Sequence, residues 1–341
     1  MDRGFVGTMP AATDREDEAY LEFVEGIRIF NALSGTSPAA AREWDTTHQP
    51  GSAEDLRTML SGGPPRPVNR RLYRTSQEMM WQGVIETYGK RKDELLAELD
   101  RYDRLGPGSV QWDPAFVYPD YFASVEFHIQ PGNYHADPLA GYIYHYGTKI
   151  FFLSRNDDDQ VQRTLVRLSP APADGLVRRI LDLGCSVGQA ATAFKERYPE
   201  AEVWGIDVGA PMVRYAHKRA VDIGLEVHFK QALAEATGFP DASFDIVHAF
   251  ILFHEVPLAI GERIVREAHR LLRPGGLFIV EDFPTNIPRR PNTSPRRDDG
   301  GEPYADDYVH SDFHGLIRRV FGNVIESYTP KSFLPMRVAT K

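Results

Sequence analysis

The chemistry in this chain starts at Ile180-Leu181-Asp182-Leu183-Gly184-Cys185-Ser186-Val187-Gly188-Gln189. Apolar residues run into two glycines with a serine between them, the pattern of a strand that turns sharply into a helix. Small residues at such a turn let backbone approach a ligand, and the helix start offers free N–H donors. Asp207 follows about 20 residues later, after a second apolar run, where an acid can accept the hydroxyl pair of a ribose. A dinucleotide dehydrogenase wants G-x-G-x-x-G, of which only Gly184 and Gly188 stand here. The segment also fits G-x-S-x-G, a hydrolase nucleophile elbow, with Ser186 attacking and Asp282 plus His310 or His314 as partners. That elbow belongs to a middle strand, whereas this turn opens the alternating region and no His-Gly-Gly segment precedes it.

The elements that must hold this turn follow from periodicity. From Arg178 onward short apolar strands alternate with amphipathic helices. The strands are expected at Arg179–Leu183, Glu202–Asp207, Glu226–Lys230, Phe244–Ile251, Gly276–Asp282, Asn323–Tyr328 and Phe333–Ala339. Helices are expected at Gln189–Tyr198, Pro211–Ile223, Ala259–Leu272 and Tyr304–Phe321. Such alternation predicts an α/β fold, a Rossmann-like, mostly parallel sheet with helices on both faces. Ligands in such sheets lie at the carboxyl ends of the strands.

Residues 1–108 read as a mainly helical region, a cap or dimerisation unit. Leu21, Val24, Ile27 and Phe30 share one helix face behind a cap at Asp14 or Thr13. Ser61-Gly62-Gly63-Pro64-Pro65-Arg66-Pro67 breaks the chain, and Met80 to Leu99 reads as one long helix ending before Gly106-Pro107-Gly108. Residues 109–170 form a His/Tyr-rich connecting segment with a turn at Asn156-Asp157-Asp158-Asp159, and Ser169-Pro170-Ala171-Pro172-Ala173 enters the domain 171–341.

Over Arg178 to Phe283 the chain resembles the class I S-adenosylmethionine-dependent methyltransferases, most closely the small-molecule enzymes of ubiquinone and menaquinone biosynthesis. Four segments carry the likeness in order. They are Leu181-Asp182-Leu183-Gly184-Cys185-Ser186-Val187-Gly188, Val203-Trp204-Gly205-Ile206-Asp207-Val208, Phe239-Pro240-Asp241-Ala242-Ser243-Phe244-Asp245-Ile246-Val247 and Arg270-Leu271-Leu272-Arg273-Pro274-Gly275-Gly276-Leu277. The resemblance implies S-adenosylmethionine as cofactor and S-adenosylhomocysteine as its product. Asp182, Gly184 and Gly188 would surround the amino-acid part of the cofactor, and Asp207 would take the ribose hydroxyls. Met212 would pack on the adenine, with Ala234 and Glu235 along its edge; Cys185, Ser186, Val208 and Phe250 complete the set. The chain departs from the family where Leu233 replaces an acid and Ser186 replaces a glycine.

Methyl transfer is mostly alignment, and a base is needed only if the acceptor must lose a proton. His254 and Glu255, just past the fourth strand of the domain, are the catalytic candidates on position. Phe127, Tyr134, Tyr142, Tyr144 and Tyr146 would wall the acceptor pocket, and His135, Tyr142 and Tyr146 are the candidate substrate contacts. His128, His135, Asp137 and His145 match no tight ligand spacing, and His310 with His314 lie four apart on an expected helix, so no metal site is assigned. Pro284–Pro303 reads as a long loop carrying Arg289, Arg290, Arg296 and Arg297.

Composition narrows the partners. Lys and Arg number 39 against 48 Asp and Glu, and the net charge of −9 argues against nucleic acid. The single cysteine, Cys185, excludes an intrachain disulfide. No apolar run approaches a membrane span of about 18 residues and no signal-peptide pattern opens the sequence, so no membrane partner and a cytoplasmic location are expected. The expected partners are a small-molecule acceptor and a second copy, as a homodimer through the helical region. A serine hydrolase and a non-catalytic binder of the cofactor are the alternatives.

Overall fold

The computed structural model describes residues 9–12, 14–35, 67–289, 301–328 and 334–341. Its centre is an eight-stranded sheet. In chain order the strands are β1 (Ser109–Gln111), β2 (Arg179–Leu183), β3 (Glu202–Asp207), β4 (His228–Gln231), β5 (Phe244–Phe250), β6 (Leu272–Glu281), β7 (Ile325–Tyr328) and β8 (Pro335–Thr340). Their order across the sheet is β1-β4-β3-β2-β5-β6-β8-β7. The strands from β1 to β6 pair parallel, and β8 runs antiparallel to both β6 and β7. The chain leaves β2 toward β3 and later returns to its other side at β5. That reversal opens a crevice at the carboxyl ends of β2, β3 and β5.

Alternation along the strands sends side chains to two cores. Leu181, Leu183, Val247, Ala249 and Phe278 pack with Ile264, Val265 and Ala268 of a helix at Leu258–Leu271 and with Ile317 and Phe321 of a helix at Phe313–Phe321. Ile180, Val203, Ile246 and Ile279 face the opposite layer, where Phe194 comes from Gln189–Arg197 and Val213, Ala216 and Ala220 from Ala210–Asp222. Two-sided burial explains why these strands are nearly continuous apolar runs.

The third core joins the helical region to the crevice. We label its helices α1 (Arg15–Gly35), α2 (Pro67–Gly89), α3 (Lys92–Tyr102), α4 (Asp120–Ala123), α5 (Ala140–Phe151) and α6 (Gln160–Leu168). The domain helices are α7 (Gln189–Arg197), α8 (Ala210–Asp222), α9 (Leu258–Leu271), α10 (Ala305–His310) and α11 (Phe313–Phe321). Leu21, Val24, Trp81, Val84, Leu99, Ile143 and Ile150 pack against Met212 and Tyr215 of α8 and Val187 of the Gly-rich turn. Helices α5 and α8 touch through Gly141, where a Cβ would come 2.3 Å from the Cβ of Tyr215.

Several expectations change. The span Met80–Leu99 is two helices, because the chain turns at Lys90 and Arg91 after Gly89, a poor helix interior residue. Tyr304–Phe321 is also divided: Ser311 is extended, and the Asp312 carboxylate accepts the Gly315 N–H and starts α11 afresh. His310 and His314 therefore sit on different helices. Asp14 does cap α1, accepting the Asp17 N–H at 2.9 Å. Leu21 and Val24 are buried as expected, but Phe30 of the same stripe is 63% exposed. Ser109–Gln111, read as part of the connecting segment, is an edge strand of the sheet on β4. Thr13, Ser61 to Arg66, Arg290, Arg296, Arg297 and Phe333 lie outside the described residues. No helix among the described residues is long and apolar enough to cross a membrane.

Candidate functional site

Strand β2 ends at Leu183 and the backbone swings through Gly184 (φ 64°), Ser186 (φ 50°) and Gly188 (φ 79°) into α7. The two glycines are required by packing. A Cβ on Gly184 would lie 2.8 Å from Leu252, and one on Gly188 would lie 2.8 Å from Phe229. Asp207, at the end of β3, ties this turn to the next. Its Oδ2 accepts the Ser186 N–H and its Oδ1 the Gly209 N–H, both at 2.9 Å. Burial outweighs these two donors and lifts its carboxyl to about 6. An enclosed acid of this kind gains from further hydroxyl donors. The Ser186 hydroxyl is buried, with the Tyr144 hydroxyl as its neighbour.

The hydrolase arrangement does not form. Asp282 is bonded to His254, and the Nδ1 of His310 is 2.5 Å from the Ile287 carbonyl. The His314 ring lies 3.2 Å from the Arg318 guanidinium and 3.9 Å from the Glu326 carboxylate. None of these histidines reaches the Ser186 hydroxyl.

The other expected cofactor residues divide. Asp182 is buried with Oδ1 2.7 Å from Nδ1 of His248, whose Nε2 is 2.9 Å from Glu281. Burial alone would lower the His248 pKa, but Glu281 and Asp182 raise it to about 10, so an imidazolium lies between two buried carboxylates. Asp182 is thus engaged within the sheet layer. Cys185 is buried, with its thiol 3.7 Å from the Ser186 carbonyl. Met212 is buried beside the aromatic segment, and Val208 accepts a hydrogen bond at its carbonyl from the Gln231 amide. Glu235 accepts the Tyr121 hydroxyl at 2.9 Å, Ala234 is half-buried against the sheet core, and Phe250 is half-buried at the end of β5.

Two residues the sequence did not single out belong to this side. Gln231, at the end of β4, donates to the Tyr118 hydroxyl at 3.3 Å, and the charge of Asp207 reaches that hydroxyl. The Tyr118 ring packs 4.5 Å from His135 and 5.9 Å from Phe122. His135 therefore stands near the Asp207 end of the crevice. Burial lowers its pKa, so it is neutral.

Tyr142 and Tyr146, expected as substrate contacts, pack into the helical core. Four residues apart on α5, they share the face that packs on Tyr88, and Tyr142 also donates to Glu98 at 2.6 Å. Tyr144 lies about 200° around the helix from each, at roughly 100° per residue. It faces Ser186, with its ring 5.2 Å from that of Tyr134.

Beyond Tyr134 and Tyr144 lies a cluster of acids and histidines. Tyr134 Oη is 2.5 Å from Nδ1 of His128, whose Nε2 is 2.9 Å from Oε1 of Glu302 and 3.6 Å from Oε1 of Glu255. His254 is held by Asp282 at 2.7 Å through Nδ1, and its Nε2 is 3.7 Å from Oε2 of Glu302. Asp282 also accepts the Phe253 and Phe283 N–H groups, each at 2.7 Å. Burial opposes charge on His254, yet Asp282 raises its pKa to about 9. It is therefore an imidazolium at neutral pH, not the free base its position suggested. Burial pushes the Glu255 carboxyl up to about 7 against the pull of His128 and His254. Glu302 lies in the Pro284–Pro303 span that the sequence reads as a loop and has no periodic neighbours, so no sequence pattern marked it. Of the histidine-segment residues considered for a metal, His128 alone joins a ligand-like group, and it does so with Glu255 and Glu302.

Residues 180–276 match a family model described as a methyltransferase domain. The chain is 43% identical over 107 residues to a demethylmenaquinone methyltransferase of Thermus thermophilus, covering 31% of this chain and 48% of that protein. It is 37% identical over 109 residues to 27-O-demethylrifamycin SV methyltransferase of Amycolatopsis mediterranei, covering 31% and 38%. The chain thus spans less than half the length of these relatives. Among solved structures it is similar to the YcgJ protein of Bacillus subtilis, with 31% identity, a TM-score of 0.32, and coverage of 36% and 50%.

Proposed function

We propose that this chain, a member over residues 180–276 of the class I S-adenosylmethionine-dependent methyltransferase family, transfers a methyl group from S-adenosylmethionine to a small organic acceptor. The observation that supports the reading is Asp207, an enclosed carboxylate that joins the Gly184–Gly188 turn to the start of α8 at the sheet's switch point. The residues present fit an adenosyl cofactor. Asp207 would accept the ribose hydroxyls, Tyr118, Gln231 and Met212 would border the base, and the turn would face the amino-acid end. When bound, S-adenosylmethionine supplies a methyl group already activated on a sulfonium, so the protein's work is alignment and exclusion of water.

Tyr144 and Tyr134 divide that half of the crevice from the cluster of His128, Glu255, Glu302 and His254, and the acceptor would lie against these side chains. A proton lost by the acceptor would pass to this cluster rather than to His254 alone, because Asp282 keeps that imidazole charged. The aromatic wall suits a planar acceptor such as a phenol or an enol. Calorimetric titration with S-adenosylmethionine and S-adenosylhomocysteine, with NAD and NADP as controls, tests the donor site. Micromolar binding of the first two alone is expected. No binding of either to the folded chain would overturn the assignment. Label from methyl-tritiated cofactor, screened against small phenols and enols, then separates an enzyme from a non-catalytic binder.

A further inference from the structure

We propose that His128, Glu255 and Glu302 form a binding site for one divalent transition-metal cation, at the acceptor side of the crevice. One ligand atom from each residue lies within 4.8 Å of the other two. Ligands bonded at about 2.1 Å to one ion are about 3–4 Å apart, so rotamer adjustments of a few tenths of an ångström to about an ångström would close the set. A single imidazole with two carboxylates is a donor set for Mn²⁺, Fe²⁺ or Zn²⁺ rather than for a thiophilic ion.

Two further features point the same way. The first is a held ring: Tyr134 Oη is 2.5 Å from Nδ1 of His128, while Nε2–H donates to Glu302 at 2.9 Å, and an ion bound there would take the place of that proton. The second is convergence: Oε1 of Glu255 lies 3.6 Å from the same Nε2 that Oε1 of Glu302 holds at 2.9 Å.

The backbone also fixes His128 from outside the cluster. Its N–H donates to Gly301 at 2.9 Å, and its carbonyl accepts from the Gln77 and Trp81 side chains. Gly301 adjoins Glu302, so one strut places two of the three ligands. The cation site stands on this geometry alone. Its use rests on the methyl-transfer reading: an ion beyond Tyr144 would hold an anionic oxygen of the acceptor, such as a phenolate or enolate. Glu255 would then be a ligand, and the ion's charge would favour loss of the acceptor's proton.

The test uses the full chain after chelator treatment. Mn²⁺ is titrated in while the six-line electron paramagnetic resonance signal of the free ion is followed, and Zn²⁺ is added in competition. Uptake of one ion per chain is expected. His128→Ala and Glu302→Gln should each weaken it at least tenfold, and Tyr134→Phe, which removes only the support of the imidazole, about tenfold. Binding of S-adenosylhomocysteine, measured in parallel, should stay within twofold and so reports the fold. Should one variant fail to fold, Glu255→Gln takes its place. No stoichiometric uptake of either ion by a chain that binds S-adenosylhomocysteine overturns the site, as does equal uptake by the variants. Ion uptake without S-adenosylhomocysteine binding would keep the site and remove the methyl-transfer reading instead.

Discussion

Asp207→Asn is the perturbation with the most to say about the donor site. The asparagine keeps the shape but has one acceptor oxygen, while two N–H groups, from Ser186 and Gly209, now point at the side chain from 2.9 Å. One of them must face the new NH₂ group. Hydrogen bonds to a charged group are worth about 1.5–3 kcal/mol, so losing the charge toward ribose hydroxyls should weaken S-adenosylhomocysteine by roughly 10- to 150-fold. The pH dependence sharpens the test. Burial raises the Asp207 carboxyl from 3.8 to about 6, so keeping it ionised in the free chain costs about 3 kcal/mol. The stability this group contributes is therefore full below about 3.8 and is lost as pH rises through about 6. Ribose hydroxyls favour the ionised form, so affinity should be greatest above about pH 6 and fall toward tenfold per unit below it. Calorimetry from about pH 5 to 7 should show that slope in the parent chain and a flat line in Asp207→Asn. A flat parent profile, or a loss of affinity under threefold in the variant, would refute the role given to Asp207.

Three further outcomes follow from the packing. Ser186→Gly should raise the melting temperature, by about 0.5–1 kcal/mol of stability, because Ser186 holds φ at 50°; a lower melting temperature would mean that the contact of its hydroxyl with Tyr144 outweighs the relieved strain. Gly141→Ala should cost about 1–3 kcal/mol in denaturant unfolding, since its Cβ would meet Tyr215 Cβ at 2.3 Å and force α5 from α8. His248→Ala should cost about 3–5 kcal/mol by leaving Asp182 and Glu281 buried without their cation. In the parent chain the stabilisation from His248, whose pKa rises from 6.5 to about 10, should be complete below about 6.5 and lost as pH rises through about 10. Thermal unfolding between those limits would show it, and a variant curve parallel to the parent's would count against it.

The domain was legible because its signals are local. Each strand from β2 to β6 is a short apolar run beside its own helix, and the Gly184–Gly188 turn follows from steric demands within a few residues. The helical region was harder to read, because Gly89 and Asp312 divide what periodicity alone presents as continuous helices. At the site, the sequence named whole segments, and the fold decides which of their residues face the crevice. Tyr142, Tyr144 and Tyr146 are equally aromatic, and only the arrangement of α2, α3 and α8 around α5 decides which face meets Ser186. His254 was found by its place after β5, but its charge comes from Asp282, 28 residues away. Glu302 and Gln231 reach the crevice through tertiary contacts that no spacing rule encodes.

The pairing of Ser109 with His228 spans 119 residues, and it gives β1 a part in how the molecule is assembled. Long loops close slowly, so the compact region from β2 to β6 should form first and receive β1 late in folding. Until then β4 presents a row of open N–H and C=O groups along its outer side, a template for pairing with another chain. A fragment cut near residue 170 would keep the whole family match and hold that edge open permanently. It would also lack Tyr134 and Tyr144. Such a fragment should self-associate through β4, and the full chain should pass through a window of the same hazard each time it refolds.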